Sequence, residues 1–445
     1  MAPIKSVSIV LLSGLALFAC ESFDDGVDFD AELRAKPAGP AKLEGARNLH
    51  FEAKVEFITA SKGADADKGR ELFGVAEDLE TAHGLPIAEF GDNERTCFTC
   101  HRGMSQQFGI DIPKGGELSD VIPEDDPIFT GIEADAQGDP DGFKNLNKHA
   151  LFKYRFHRFD PRPKPGGFKD LFAWRKSLGL MNFACTKGAL NDGRMPGAAG
   201  ADRGAVSSHT QEADTPIDNL LSDQYFQDME AFQLSLFTDK RLAGLLDPKH
   251  QLHDALIKDP YLTVDIKTPA QKAGRRVFDR YCYVCHNTPN VFSGLDGVSA
   301  RGNGERPSDR PSWAPSVTKT YNIGTAEWNR HKLRFTKDLD NGEFETIVIP
   351  LAKEDGSVVH HQVTFDVGLA ASTGRHEDLG RFKVPQLRGL EDNAPYFHDN
   401  SADTIEEVVD YFNSDQYNNS ADGQNYPIHL TPKEIADLLE FLYIL

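Results

Sequence analysis

The chain contains the pattern Cys-x-x-Cys-His twice, as CFTCH over residues 97–101 and as CYVCH over residues 282–286. A similar segment precedes each copy, GRELF at 69–73 and GRRVF at 274–278. The segments that follow also match, because one aspartate, one phenylalanine and one leucine recur at the same spacing: Asp228, Phe232 and Leu236, then Asp437, Phe441 and Leu445. The sequence is therefore an internal repeat of two units, each built around one copy of the pattern.

Cys-x-x-Cys-His is the attachment pattern of c-type haem. Two thiols three positions apart can reach both vinyl groups of one porphyrin, and the next residue can place its imidazole on the iron. The pattern predicts two covalently bound haems on Cys97, Cys100, Cys282 and Cys285, with His101 and His286 as proximal iron ligands. A zinc site made by both pairs, or a thioredoxin-like redox pair, would not need a histidine after each pair. Cys185 is left over and is expected to be a buried, unreactive thiol.

The expected fold class is mainly α, with two haem domains similar to class I cytochromes c, long loops and one small β-hairpin. The C-terminal helix has a capping box in Thr431 and Glu434, and the first unit closes similarly, with Ser222 or Asp223 as its cap. Alternating residues around Gly356 in the segment 343–367 predict the hairpin. We predict an N-terminal haem domain at 61–245 and a C-terminal haem domain at 246–445.

The N-terminus has the character of a processing signal. Residues 1–20 combine Lys5 with an apolar run and end in LFAC, which resembles a bacterial lipoprotein cleavage site. The prediction is lipidation of Cys20, a flexible tether over 21–60, and a periplasmic protein anchored to the outer membrane through that lipid.

The charge balance restricts the partners. The 445 residues include 48 Lys plus Arg against 69 Asp plus Glu, a formal net charge of −21. Such a surface repels nucleic acid and anionic lipid and suits a cationic partner such as a small basic electron carrier. Simple solvation explains the same charge, so it does not identify a partner.

The distal side of the first haem decides between electron transfer and catalysis. Met195, followed by Pro196, is similar to the Met-Pro pair that supplies the sixth ligand in many small c-type cytochromes. The competing ligands in this part of the sequence are His149, His157, Met181 and His209.

The C-terminal unit resembles the bacterial dihaem cytochrome c peroxidases, a family that includes the MauG-type enzymes. The resemblance is carried by RFKVPQLRG at 381–389, APYFHD at 394–399 and TIEEVV at 404–409. The N-terminal unit matches more loosely: Asp192-Gly193-Arg194 resembles the end of the family's Trp-Asp-Gly-Arg motif, with Asn191 in place of Trp.

The resemblance implies a function for the two haems. Electrons from a small cytochrome or cupredoxin would enter at the C-terminal haem and pass to the N-terminal haem, where hydrogen peroxide would bind. His209, Glu212 and Arg194 are the implied catalytic cluster, with Glu212 near the family's acid-base glutamate. The resemblance further implies Trp174 between the haems, a calcium ion held partly by main-chain carbonyls around Lys383 to Pro385, and a homodimer.

The distal ligand of the second haem departs from the family. All five methionines lie before the C-terminal unit, and Phe412 stands near the position where the family has its Met or Tyr ligand. A phenyl ring has no lone pair for iron, so we predict that this haem is not a His/Met haem. The remaining local donors are Tyr411, Tyr417, His376, His398 and His429. Among them His429 is favoured over Tyr411 and Tyr417, because it stands just before the closing helix, and an empty distal site is the alternative.

Two other functions fit the same motifs. One is a dihaem electron carrier without its own substrate, which strong sixth ligands on both irons would favour. The other is a dihaem oxygenase similar to the rubber-cleaving enzymes, which share the two motifs and a similar C-terminal block.

Overall fold

A computed structural model describes the following residues: 58–74, 93–102, 109–110, 112, 115–135, 142–155, 172–186, 188–195, 197–209, 221–294, 320–335 and 346–445. Over these ranges the chain is mainly helical, with three small antiparallel sheets of two strands each. The predicted fold class is confirmed at this level. No helix of the described ranges is long and apolar enough to cross a membrane.

The helices are α1 Ala66–Phe73, α2 Cys97–Cys100, α3 Lys144–His149, α4 Ala198–His209, α5 Asp223–Leu234, α6 His253–Lys258, α7 Pro269–Tyr281, α8 Thr325–Trp328, α9 Ala370–Thr373, α10 Ile405–Phe412, α11 Asp415–Asn418 and α12 Pro432–Leu442. The strands are β1 Leu151–Arg155, β2 Phe172–Lys176, β3 Thr320–Tyr321, β4 Val348–Ala352, β5 Val358–Gln362 and β6 Phe382–Lys383. β1 pairs with β2, β3 with β6, and β4 with β5.

The internal repeat is visible as two equivalent helix crossings. α1 packs against α5 in the first unit, and α7 packs against α12 in the second. A Cβ atom on Gly69 would lie 1.8 Å from the carbonyl oxygen of Asp228, and one on Gly274 would lie 1.9 Å from that of Asp437. Only glycine lets the helix backbones approach this closely, so the repeated glycine sets the crossing.

The repeated phenylalanines lie at the same crossings. The ring centroids of Phe73 and Phe232 are 5.3 Å apart in the first unit, and those of Phe278 and Phe441 are 5.3 Å apart in the second. All four side chains are buried, at 5% exposure or less. The crossing therefore contributes the same apolar contact to each unit, next to each Cys-x-x-Cys-His copy.

The predicted caps and the hairpin are present. Thr431 and Glu434 form the capping box of α12, and the Ser222 hydroxyl accepts a hydrogen bond from the backbone N–H of Tyr225 at 3.2 Å. β4 and β5 form the hairpin, and its turn contains Gly356 at φ +81°. Ser222, rather than Asp223, is thus the cap of α5.

Three features differ from the sequence prediction. The stretch 188–216 shows no helical periodicity, yet it contains α4, whose alanines and glycines form no apolar stripe. The β1–β2 pair was likewise not predicted. The short β3–β6 pair was not predicted either.

Candidate haem sites

The first motif places His101 at the end of the short helix α2. The Ser177 hydroxyl donates to the carbonyl of Cys100 at 2.9 Å, so its oxygen is left to accept from His101 Nδ1 at 3.3 Å. Because Nδ1 donates this bond, Nε2 carries the free lone pair. His101 is therefore oriented as an iron ligand would be, with its second nitrogen held by the protein.

The second motif holds His286 in the same tautomer. Its Nδ1 donates to the carbonyl of Phe292 at 2.8 Å, which again leaves Nε2 free. Burial lowers the pKa of His286 to about 4, against the hydrogen bonds to the main chain of Phe292 and Pro385, which raise it. The imidazole is neutral near pH 7, as ligation of iron requires.

A large cavity adjoins the first motif. It provides about 310 Å³ of space open to the centres of water molecules. Cys97, Cys100 and His101 lie on its wall. Another part of the wall is a face of α4 without long side chains, formed by Ala198, Ala201, Gly204 and Ala205. The donor set beside this cavity fits a haem attached to the two cysteines.

His209 lies in the wall of this cavity and is oriented by a carboxylate. Its Nδ1 is 3.0 Å from Glu133 Oε1, and Glu133 is fully buried. Burial favours the protonated form of Glu133, but the hydrogen bond with His209 and the charge of Arg95 lower its pKa to about 2. An ionised carboxylate only accepts, so Nδ1 carries the proton and Nε2 is the basic nitrogen.

Arg194 also lines the cavity, but its charge is already paired. Its guanidinium donates to both carboxylate oxygens of Asp192, at 2.8 and 2.9 Å, and lies 4.1 Å from the ring centroid of Tyr154. Arg175 bonds the same carboxylate at 2.9 Å and pairs with Asp366 through two further bonds. Arg194 is thus part of a buried network of alternating charge that stiffens the cavity wall.

The other candidate distal ligands differ in position. Met195 lines the cavity, and its sulfur lies 3.7 Å from where a Cβ on Gly200 would stand. His149 does not line the cavity; it stacks on His331 with a centroid distance of 3.8 Å. Met181 is likewise not among the lining residues. His157 lies outside the described residues, as do Pro196, Cys20 and the predicted catalytic Glu212.

One cavity residue was not predicted from the sequence. Asp202 on α4 is buried, lines the cavity and accepts a hydrogen bond from Gln233 Nε2 at 2.7 Å. Burial raises the pKa of this carboxyl well above its usual value, and the charge of Glu230 adds to the effect. No local sequence pattern identifies Asp202, Glu133 or Ser177 as site residues, because each lies far in sequence from the group that it contacts.

The second motif is surrounded by tyrosines. Burial raises the pKa of Tyr417 well above its usual value. Cys285 packs against an apolar cluster that contains Tyr321 and Tyr426. The Tyr417 hydroxyl donates to the carbonyl of Tyr426 at 3.0 Å. Tyr411 is buried too, and its hydroxyl donates to the carbonyl of Ile323 at 2.6 Å.

The histidine candidates of the second unit do not share this environment. The side chain of His429 is exposed, between the buried Ile428 and the partly buried Leu430. His398 stacks on Phe382 with a centroid distance of 3.9 Å. His376 belongs to a one-turn helix near the β-hairpin and is only partly buried. His429 as the distal ligand of the second haem stays a prediction.

Trp174 and Cys185 are both buried away from the motifs. Trp174 is 1% exposed and packs in an apolar cluster with Leu351 and Val363 of the hairpin region, and it does not line the first cavity. Its implied position between the haems stays a prediction. Burial raises the pKa of the Cys185 thiol to about 12, which agrees with an unreactive cysteine.

These observations define the class as a helical protein with two c-type haem motifs, each with its histidine oriented for ligation. No family model matches the chain. Cytochrome-c peroxidase IdrP1 of Denitromonas iodatirespirans is 28% identical over 159 residues, which is 34% of this chain and 37% of that protein. Cytochrome-c peroxidase IdrP2 of Pseudomonas sp. strain SCT is 39% identical over 80 residues, 18% of this chain and 21% of that protein.

Two solved structures match most of the length of this chain. A MauG-like protein associated with microbial copper homeostasis has a TM-score of 0.44 and 17% identity, covering 87% of this chain and 90% of that one. The diheme peroxidase BthA from Burkholderia thailandensis has a TM-score of 0.40 and 14% identity, covering 88% and 89%. The sequence matches confirm the resemblance of this chain to the bacterial cytochrome c peroxidases.

Proposed function

We propose that the protein is a dihaem peroxidase that reduces hydrogen peroxide to water with two electrons from a small redox protein. The proposal rests on the first cavity, because His209 and His101 both lie in its wall. The His209 imidazole is oriented there by the carboxylate of Glu133. A simple electron carrier has no need of a basic nitrogen beside its haem. The curated relatives are peroxidases by name, although this chain spans only 37% and 21% of their lengths.

The chain's own residues have separate roles in this proposal. Cys97 and Cys100 would hold the haem, and His101 would ligate its iron; the bound haem supplies electron transfer and a site for peroxide. His209 Nε2 would accept the proton of the peroxide oxygen that binds and return it to the oxygen that leaves as water. Each peroxide takes up two electrons and two protons and yields two waters. Arg194, fixed by Asp192, would hold the cavity wall in place.

The organisation around this site is part of the proposal. The two units would form class I cytochrome-like domains at 61–245 and 246–445, with electrons entering at the second. The predicted periplasmic location, the lipid on Cys20 and the homodimer complete it. The net charge of −21 supports a cationic donor, a small basic cytochrome or cupredoxin.

Peroxide added to the fully reduced, purified protein tests this function. We expect reoxidation within the mixing time and repeated turnover when a reductant is supplied. The reason is that the same cavity contains the haem attachment residues and a proton carrier. The haem absorbance and peroxide consumption are measured together. Slow bleaching at a fixed ratio of peroxide to protein would instead indicate an electron carrier. Reoxidation by dioxygen with incorporation of oxygen into an organic substrate would indicate an oxygenase.

The second haem should respond to Tyr417 rather than to His429. Tyr417 is buried and bonds the main chain of Tyr426, whose cluster packs against Cys285 of the second motif, whereas His429 is exposed. We expect Tyr417→Phe to change the electronic and paramagnetic resonance spectra of the second haem, and His429→Ala to leave them unchanged.

The spectra of the oxidised protein provide the control. They should lack a methionine-to-iron charge-transfer band from the second haem, because no methionine follows Met229 in the chain. A high-spin second haem in His429→Ala, with normal spectra in Tyr417→Phe, would reverse the assignment.

A further inference from the structure

The calcium ion that the family resemblance implies does not fit the residues between the two units. Of the main-chain carbonyls expected to bind it, that of Val384 already accepts a hydrogen bond from the Ser293 hydroxyl at 3.2 Å. Calcium takes six to eight oxygen ligands, usually with carboxylates among them. Within the described ranges, no group of three His, Cys, Asp or Glu side chains is placed to hold a metal ion.

Two lysines instead direct their ammonium groups across this interface, in opposite directions. Lys176, at the end of β2 in the first unit, donates to the carbonyls of Asn393 and Pro395 at 3.1 and 2.6 Å. Lys383, in β6 of the second unit, donates to the carbonyl of Gly188 at 2.8 Å. Both side chains are partly buried and both reach the wall of the first cavity.

Backbone hydrogen bonds place the two lysines in this arrangement. The N–H of Lys176 donates to the carbonyl of His398 at 2.7 Å, and the N–H of Lys383 donates to the carbonyl of Asn191 at 2.9 Å. The Asn191 amide also donates to the carbonyl of His398 at 3.3 Å. The main chain of each lysine is therefore already bonded to the opposite unit, and its side chain adds further hydrogen bonds to that unit.

The electrostatics of the interface also disfavour a divalent cation. Among the described residues, the carboxylates of Asp192 and Asp366 are bound to Arg175, and Asp192 binds Arg194 as well. Their negative charge is thus already balanced by guanidinium groups. A calcium ion placed beside two ammonium groups would be repelled without a free carboxylate to offset the repulsion.

We propose that the ammonium groups of Lys176 and Lys383 replace the interface calcium ion, so that the two haem units are joined without a metal. Each ammonium supplies the positive charge and up to three donors that main-chain carbonyls of the opposite unit require. Lys383 lines the first cavity, and the next residue, Val384, belongs to an apolar cluster that packs against Cys285 of the second motif, so these contacts also link the two haem sites.

Metal analysis and thermal unfolding of the purified holoprotein at pH 7 test the proposal. We expect less than a stoichiometric amount of calcium and no change of Tm when EGTA or calcium chloride is added. Lys176→Met and Lys383→Met remove the ammonium but keep an unbranched side chain. Each should lower Tm by about 3 to 6 °C, because buried carbonyls lose their donors, and calcium should not restore it.

Lys272→Met is the matched control, since Lys272 is an exposed lysine on α7. One calcium ion per chain, whose removal by EGTA lowers Tm, would overturn the proposal. Lysine variants with the Tm of Lys272→Met would overturn it equally. None of these readouts depends on peroxide turnover, so the proposal can fail while the peroxidase function stands, and the reverse also holds.

Discussion

Replacing His209 with glutamine is expected to slow peroxide turnover by about 10²-fold or more, with both haems retained. The basic Nε2 of His209 is lost in this variant, and the glutamine amide cannot take up a proton at neutral pH. His101 and both cysteines of the first motif are unchanged, so haem binding should be normal. Turnover is measured by stopped-flow peroxide consumption, and the haem content by absorbance of the reduced protein.

His360→Gln is the control for this substitution. His360 is an exposed histidine on β5, in the hairpin region and not in the cavity wall. Its replacement should leave the rate within twofold of the unchanged protein, a roughly neutral surface change. If His209→Gln kept full activity with normal haem spectra, His209 would not be the proton carrier.

Glu212 can be compared in the same assay. The family resemblance assigns it the acid-base role, and it lies outside the residues that the structure describes. Glu212→Gln should cause a loss as large as that of His209→Gln only if the proton passes through both groups. A large loss in Glu212→Gln alone would return the role to the carboxylate.

Replacing both cysteines of one motif should remove one whole haem. The unmodified protein is expected to keep two haems after denaturation, because thioether bonds do not break on unfolding. Cys97→Ala with Cys100→Ala should keep only the second, and the corresponding pair at 282 and 285 only the first. Intact mass and haem staining of denaturing gels measure this directly.

Cys185→Ala is the matched control, because Cys185 is a buried cysteine in an apolar cluster and takes no part in either motif. It should retain both haems and differ from the unmodified protein by one sulfur in mass. Unmodified protein with one covalent haem, or with none, would contradict the two-haem assignment. If Cys185→Ala lost haem because it failed to fold, its circular dichroism spectrum would change. That outcome can therefore be distinguished from a loss of covalent attachment.

The repeat, the helix caps and the hairpin could be predicted because each depends on residues close together in sequence. Gly69 and Gly274 lie at the two equivalent helix crossings, and Thr431 caps the helix that it precedes. Helix α4 was missed because its small residues pack against the haem cavity and leave no apolar stripe. Periodicity reports burial against protein, so a helix that faces a cofactor does not show it.

Only the tertiary structure decided the environment of each site. Glu133 and His209 are 76 positions apart, and Lys383 and Gly188 are 195 apart, so no spacing rule relates them. The same holds for the exposed position of His429 and the apolar packing of Trp174. The sequence by itself determined which atoms can hold the haems, because covalent attachment needs neighbouring residues. Orientation, charge balance and the joining of the two units depend on contacts that form only when distant segments pack together.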